Sequence, residues 1–368
     1  MSKKTLIVAP IAVVIALIGI FYFAAEPNQE SIKIGATLSL TGPTNALGLE
    51  NLDGMLMAID EINSSGGING RPIELIILDN QSTAEKAKEN FLELENTHAP
   101  LMYVSSMSTI SFAVSQLAEE HEVVLMALSA TATSITVDKE WTYRYFPTAV
   151  DEAYTITRIL DGLNVYNLGI LYIDDSFGIS VADEIETVSQ HPDRTVTRES
   201  FGLETSDFKD HITNLQDTNA IVIVTFPEYV QQILNDIREV NYQGYVIGSS
   251  DFLIRDIESI PEAEGVYFAT PSMFDPTFAF AVQIGENFES RYNKPFDHNS
   301  ANGYDFIKLL EGLLEGEELS RDNIKQILDE GYSHLGAFGN IHVSPGEHDI
   351  AFPLFPAQII DGKLEFKK

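Results

Sequence analysis

The sequence predicts an α/β chain folded as two doubly wound α/β lobes with a ligand cleft between them, preceded by one N-terminal hydrophobic helix. Three observations carry that expectation. Short runs of Val, Ile, Leu and Met, typical of strands covered on both faces, alternate with segments whose apolar residues recur every three or four positions. The 368 residues exceed what one ordinary core holds and suit two. Loops rich in Ser, Thr and Gly follow the strands, at the carboxyl edge where open α/β sheets bind ligands.

The first 30 residues stand apart from this alternation. After Lys3 and Lys4, the run TLIVAPIAVVIALIGIFYFAA carries no charge before Glu26, a length that suits a bilayer span. Positive charge on the near side alone predicts a cytoplasmic N-terminus with the rest of the chain outside. A cut after Ala25 would put Phe23 where a signal peptidase wants a small residue. Residues 5–25 are therefore expected to stay as a membrane anchor, with a cleaved signal peptide as the alternative, and Glu26 to Ser31 as a polar tether.

From Ser31 the elements follow in order. Ile32, Ile34, Ala36, Leu38 and Leu40 alternate as a strand does, and TGPTNALG is the loop after it. Leu49, Leu52, Leu56, Ile59 and Ile62 then recur on one helical face. SSGGINGRP turns the chain into the strand Ile73 to Leu78; its glycines follow a helix and precede a strand, the reverse of a dinucleotide cradle. Ser82 to Leu94 is the next helix, with Ser82 and Glu85 at capping-box spacing.

The central unit is Leu101 to Thr133. Leu101 to Val104 and Val123 to Leu128 read as parallel strands, and Ser108 to Glu120 between them as a helix. Both following loops, Ser105 to Ser108 and Ser129 to Thr133, then share one sheet edge. Ser108 opens the helix, where free N–H groups, the helix dipole and its hydroxyl suit a small anion. The same serine serves equally well as a plain N-cap. Ser129 and Thr131 supply further polar groups opposite it.

Thr142 to Thr148 leads into a second series, with strands at Leu168 to Ile173, Ala220 to Thr225 and Tyr245 to Ile247. Val230, Ile233, Leu234 and Ile237 mark one of its helices. Its carboxyl-edge loops, IDDSFG, TFPE and GSSDF, make Phe177, Phe226, Ser250 and Asp251 candidates to face a ligand.

Composition excludes several functions. Lys and Arg number 22 against 55 Asp and Glu, a formal charge of -33, so phosphate backbones would repel the chain and nucleic acid is no partner. Cysteine is absent, which removes disulfides, thiolate chemistry and a lipid-bearing cysteine. The histidines are scattered, with His342 and His348 in the turn-rich HVSPGEH, which reads as surface. No G-x-S-x-G elbow is present. The expectation is a binding protein without cofactor or metal, and no enzyme.

The segments IKIGATLSLTGP, GGINGRPIELIILD, ALSATATS, GYD and GAFGNIHV, in this order, resemble the type I periplasmic binding proteins, and among them the leucine-isoleucine-valine-binding proteins of ABC importers. The resemblance runs from Ser31 to Lys368. It implies two lobes joined by three crossings, residues 31–148 with 273–354 and residues 149–272 with 355–368, that close on a ligand. It further implies that an amino acid's carboxylate is held by Ser108 and the backbone of Thr131, within the loop Ser129, Ala130, Thr131. The ammonium would meet the Ser129 carbonyl, the Thr131 hydroxyl and an acid of the second lobe. Ungapped matching places Ser250 there, whereas a shift of one residue gives Asp251, which alone could balance a positive charge. Phe177 stands where the family often has tyrosine, Phe226 keeps an aromatic wall, and Leu47 matches a position that is often aromatic. The implied ligand is a small apolar amino acid, passed to an ABC permease from the cell surface or the periplasmic side of the cytoplasmic membrane. A sensory ectodomain, or a receptor for a small amide or carboxylate, is the alternative.

Overall fold

The computed structural model describes residues 30–253 and 257–367. The expected anchor, residues 5–25, lies outside them, and among the described residues no helix is long and apolar enough to cross a membrane.

The first sheet holds β1 (Ile32–Leu38), β2 (Ile73–Asp79), β3 (Met102–Ser106), β4 (Leu125–Leu128) and β5 (Thr142–Tyr145) in the order β2-β1-β3-β4-β5, all parallel. β3, β4 and β5 are buried at every position, as continuous apolar runs under two helical layers should be. The connecting helices are α1 (Asn45–Ser64), α2 (Ala84–His98) and α3 (Ser108–Glu120).

Two local expectations are corrected. The expected face of α1 is only part of its buried side: Ile59 and Ile62 are buried and Leu52 packs against the core, but Leu56 is exposed, and Leu47, Asn51, Gly54, Met55 and Ala58 also face inward. The reason is a second helix on α1, described below, which the simple amphipathic stripe does not anticipate. The helix after β2 is capped by Thr83, whose side chain accepts from Lys86 N at 3.3 Å, and not by Ser82. Ser82 sits at a left-handed φ of 59° and instead bonds Thr44 and the Thr41 carbonyl, tying the two loops together.

The chain continues through α4 (Ala149–Gly162), β6 (Asn167–Ile173), α5 (Ser176–Val188), β7 (Thr195–Phe201), α6 (Lys209–Asn214), β8 (Ala220–Val224), α7 (Val230–Glu239), β9 (Tyr245–Gly248) and β10 (Tyr267–Pro271). It then returns through α8 (Ala279–Tyr292), α9 (His298–Leu314), α10 (Arg321–Asp329), the hairpin β11 (Tyr332–Gly336) and β12 (Gly339–Val343), and ends on β13 (Leu354–Ile360) and β14 (Lys363–Phe366). The second sheet has the order β14-β13-β10-β9-β8-β6-β7, parallel from β7 to β10 and antiparallel at β13 and β14.

α9 packs along α1, not on the second sheet, and its first and middle turns are almost wholly buried. Gly54 and Gly303 make the approach possible: a Cβ on Gly54 would overlap the Ser300 carbonyl, and one on Gly303 the Asn51 carbonyl. In HVSPGEH, His342, Pro345, Gly346 and Glu347 are exposed as expected, but His348 is half-buried. His348 stacks on Tyr143 with centroids 4.3 Å apart, because Arg144 N donates to the His348 carbonyl and Ile350 N to the Arg144 carbonyl. His342 is exposed, in β12.

Candidate functional site

The site forms where the carboxyl edges of the two sheets meet. On the first sheet, Arg144 organises everything around it. It projects from β5, is 1% exposed, and its Nη1 donates to the carbonyls of Ala130, Thr131 and Ala132 at 3.3, 2.9 and 2.8 Å. Its other nitrogens bond Asp349 and Thr136. With those carbonyls turned toward the guanidinium, the N–H groups of Thr131 and Ala132 both donate to Ser108 Oγ at 3.1 Å. Ser108 is therefore not an N-cap. Met107 precedes the helix without a side-chain cap, and the hydroxyl oxygen of Ser108 is used by the neighbouring loop, leaving its proton to be donated elsewhere.

Ser129, at a φ of 44°, is fixed from another direction: its N donates to Asn302 Oδ1 at 2.8 Å, and its Oγ accepts from Asn51 Nδ2 at 3.1 Å. Asn302 in turn donates to the Tyr145 carbonyl at 2.6 Å. Ala130 does not face this arrangement with its side chain, which lies in a small apolar cluster with Ala127, Ala132 and Ile135. Leu47, in the first turn of α1, is buried in the main core.

The second sheet contributes aromatic rings and carboxylates. Phe177 opens α5 and Phe226 follows β8; their rings stack with centroids 5.5 Å apart, making one apolar wall. Asp175 caps α5 by accepting from Gly178 N at 2.9 Å. Ser250 and Asp251 lie in a single 3₁₀ turn after β9, both buried, and take different partners. The Ser250 hydroxyl donates to Glu152 of α4, whereas Asp251 Oδ1 accepts from His298 Nε2 at 2.8 Å.

That last bond joins the second sheet's loop to the start of α9, so it crosses between the lobes. Thr133 N donating to Ser180 Oγ at 3.2 Å crosses as well. A cavity of about 210 Å3 lies at the same seam, between Pro227 and Leu253 on one side and Glu50, Asp297, His298 and Asn299 on the other.

Burial dominates the electrostatics. It pushes Glu152 up to about 8, with the charge of Asp251 as the second cause. Glu50 rises to about 8 through burial and Asp297, Glu228 to about 7 through burial, and Asp175 to about 6 through burial. Burial alone would lower His298, but Asp251, helped by Asp297 and Glu50, holds it above the ordinary imidazole value. Several buried polar atoms at the seam have no partner among the described residues: Glu152 Oε2, His298 Nδ1, Asn299 Oδ1 and Asn51 Oδ1. Among those residues no group of three or more His, Cys, Asp or Glu is arranged to hold a metal.

Sequence reasoning missed Arg144, Glu152, Asn51, Asn302 and His298. Arg144 was detectable, as a lone charge inside the aromatic strand TYRYF. The others sit on helices whose partners are distant in sequence.

Two α/β lobes whose strand ends converge on one seam define a two-lobed binding protein fold. The chain belongs to the periplasmic binding protein family, whose sequence model matches residues 31–363. The Leu/Ile/Val-binding protein homolog 7 of Brucella abortus (strain 2308) is 26% identical over 339 residues, covering 83% of this chain and 82% of the relative. Among solved structures, the branched-chain amino acid transporter substrate-binding protein LivJ of Streptococcus pneumoniae, in complex with isoleucine, superposes with a TM-score of 0.80 at 23% identity, covering 91% of this chain and 98% of that one. A fatty acid ABC transporter substrate-binding protein from Thermomonospora curvata superposes with a TM-score of 0.81 at 19% identity, covering 93% and 92%.

Proposed function

We propose that the chain is the extracytoplasmic solute-binding component of an ABC importer. In this reading residues 31–148 with 273–354 and residues 149–272 with 355–368 close on a small amino acid, and residues 5–25 anchor the protein to the membrane. One observation carries the ligand class: the seam is chemically divided. On one side the Ser108 hydroxyl, whose oxygen already takes the Thr131 and Ala132 amides, keeps its proton to donate, and buried carboxylates occupy the other. A zwitterion leaving water needs both. Phe177 and Phe226 offer its side chain an apolar wall, and the Brucella relatives are Leu/Ile/Val-binding protein homologues.

A second reading follows from the Asp251–His298 bond, which already gives Asp251 a partner. A ligand without an amine, such as a small amide or carboxylate, then becomes the competitor. Calorimetric titration against branched-chain amino acids, short amides and short carboxylates separates them. Binding of amino acids alone is the expected result; binding of amides or carboxylates alone overturns the amino-acid reading. Membrane fractionation with N-terminal sequencing tests the anchor, and a soluble product starting near Glu26 overturns it.

A further inference from the structure

Asp251 and Glu152 are neighbouring acids of the seam, but their circumstances differ. Asp251 is paired with His298. Glu152 is 0% exposed; Ser250 gives it its hydroxyl and a backbone hydrogen bond, Oε2 has no partner among the described residues, and no ion pair includes it there. Among the described residues, the ionisable groups that act on it are Asp251, which repels its charge, and His298, which is committed to Asp251. A buried carboxylate normally has either a cation or a set of donors. Glu152 has half a set.

Its position gives that vacancy a use. Glu152 lies in the first turn of α4, directly after the chain leaves β5 for the second sheet, and it is bonded to the turn that follows β9. It therefore sits with Ser250 and Asp251 in the acidic half of the seam. We propose that Glu152, not Asp251, accepts the ligand's ammonium group, with Ser250 as the residue that orients it. This rests on the amino-acid reading above.

The proton balance is explicit. Free Glu152 is a neutral acid at pH 7, and burial is the first cause. When an ammonium arrives, the O–H bond of Glu152 breaks, the proton leaves to solvent, and the carboxylate pairs with the unchanged R-NH3+. Among the described residues, the groups facing it during this step are Asp251 and His298, already paired, and the hydroxyl and backbone N–H of Ser250.

The test uses L-leucine and 4-methylpentanoate, which shares its skeleton but lacks the amine. Calorimetry at pH 7 in phosphate and in Tris counts protons exchanged on binding. Wild type should release close to one proton per leucine. Glu152→Gln should abolish that release and weaken leucine by roughly 30-fold or more, leaving 4-methylpentanoate unchanged. Asp251→Asn should keep the release. Loss of the release in Asp251→Asn, but not in Glu152→Gln, overturns the proposal while the amino-acid reading stands. Wild type that binds 4-methylpentanoate but not leucine, or neither, overturns both for this ligand class. A ligand-free control covers folding: Glu152→Gln should melt at or above wild type at pH 8. A variant that melts far below wild type at that pH makes Glu152 a structural acid and overturns the assignment.

Discussion

On the β3–β4 side of the seam most polar groups bond one another, whereas on the other side, among the described residues, burial raises three carboxyls. Arg144 meets three carbonyls and a carboxylate, and two amides converge on one hydroxyl. Opposite them, Asp175, Glu228 and Glu152 are pushed up to about 6, 7 and 8, first by burial. The first half is held in shape largely by its own bonds. The second carries a surplus of acid that a positively charged group would relieve, so pre-organisation and ligand-dependent stabilisation fall on opposite sides of one cleft.

The largest way to break this contrast is Arg144→Met. It leaves the buried carbonyls of Ala130, Thr131 and Ala132 without their donor, at about 1 to 3 kcal/mol for each, whereas Asp349 is 37% exposed and still accepts from Thr136. Urea denaturation should show that loss, and a change under 1 kcal/mol would mean the loop holds its shape without the guanidinium.

A smaller effect comes from pH and belongs to the other half. The raised carboxyls of Asp175, Glu228 and Glu152 contribute stability that is complete below the unfolded carboxylate range and is lost as pH rises through about 6, 7 and 8. His298 runs in the same direction, since it too is held above its ordinary value. The ligand-free protein should therefore melt progressively lower from pH 5 to pH 9. A saturating amine-bearing ligand should flatten the slope, and a flat ligand-free profile would refute the surplus.

The smallest effect expected is Ser108→Ala, which removes the shared acceptor of two amides but leaves the loop on Arg144. Ligand affinity should fall by roughly 1 to 3 kcal/mol, with a lesser change in melting temperature. A fall in stability larger than the fall in affinity would show that the hydroxyl serves the loop more than the ligand.

The legible features were those written in local periodicity. The helix over Ser108 to Glu120 emerges with those bounds because Ile110, Val114 and Ala118 repeat on one face. The loops after β3 and β4 meet because parallel strands share an edge. What could not be read is every partner supplied from far along the chain. Asn302 reaches Ser129 across 173 residues, and Ser250 reaches Glu152 across 98. The inner face of α1 was read only in part for the same reason: Ile59 and Ile62 are buried as expected, but Gly54 marks a helix contact only once α9 is beside it.

The pairing of α1 with α9 also constrains the order in which the molecule can be finished. Asn51 and Asn299 bond across 248 residues, so the lobe begun first stays open until nearly the whole chain has been synthesised. The second sheet waits as well, because β10 has an unpaired edge until Leu354 to Ile360 arrive. Neither lobe can close over its own core early, and contacts of such long range form slowly. A chain emerging beyond a membrane behind an N-terminus held in the cytoplasm would thus have both lobes unfinished for most of the passage.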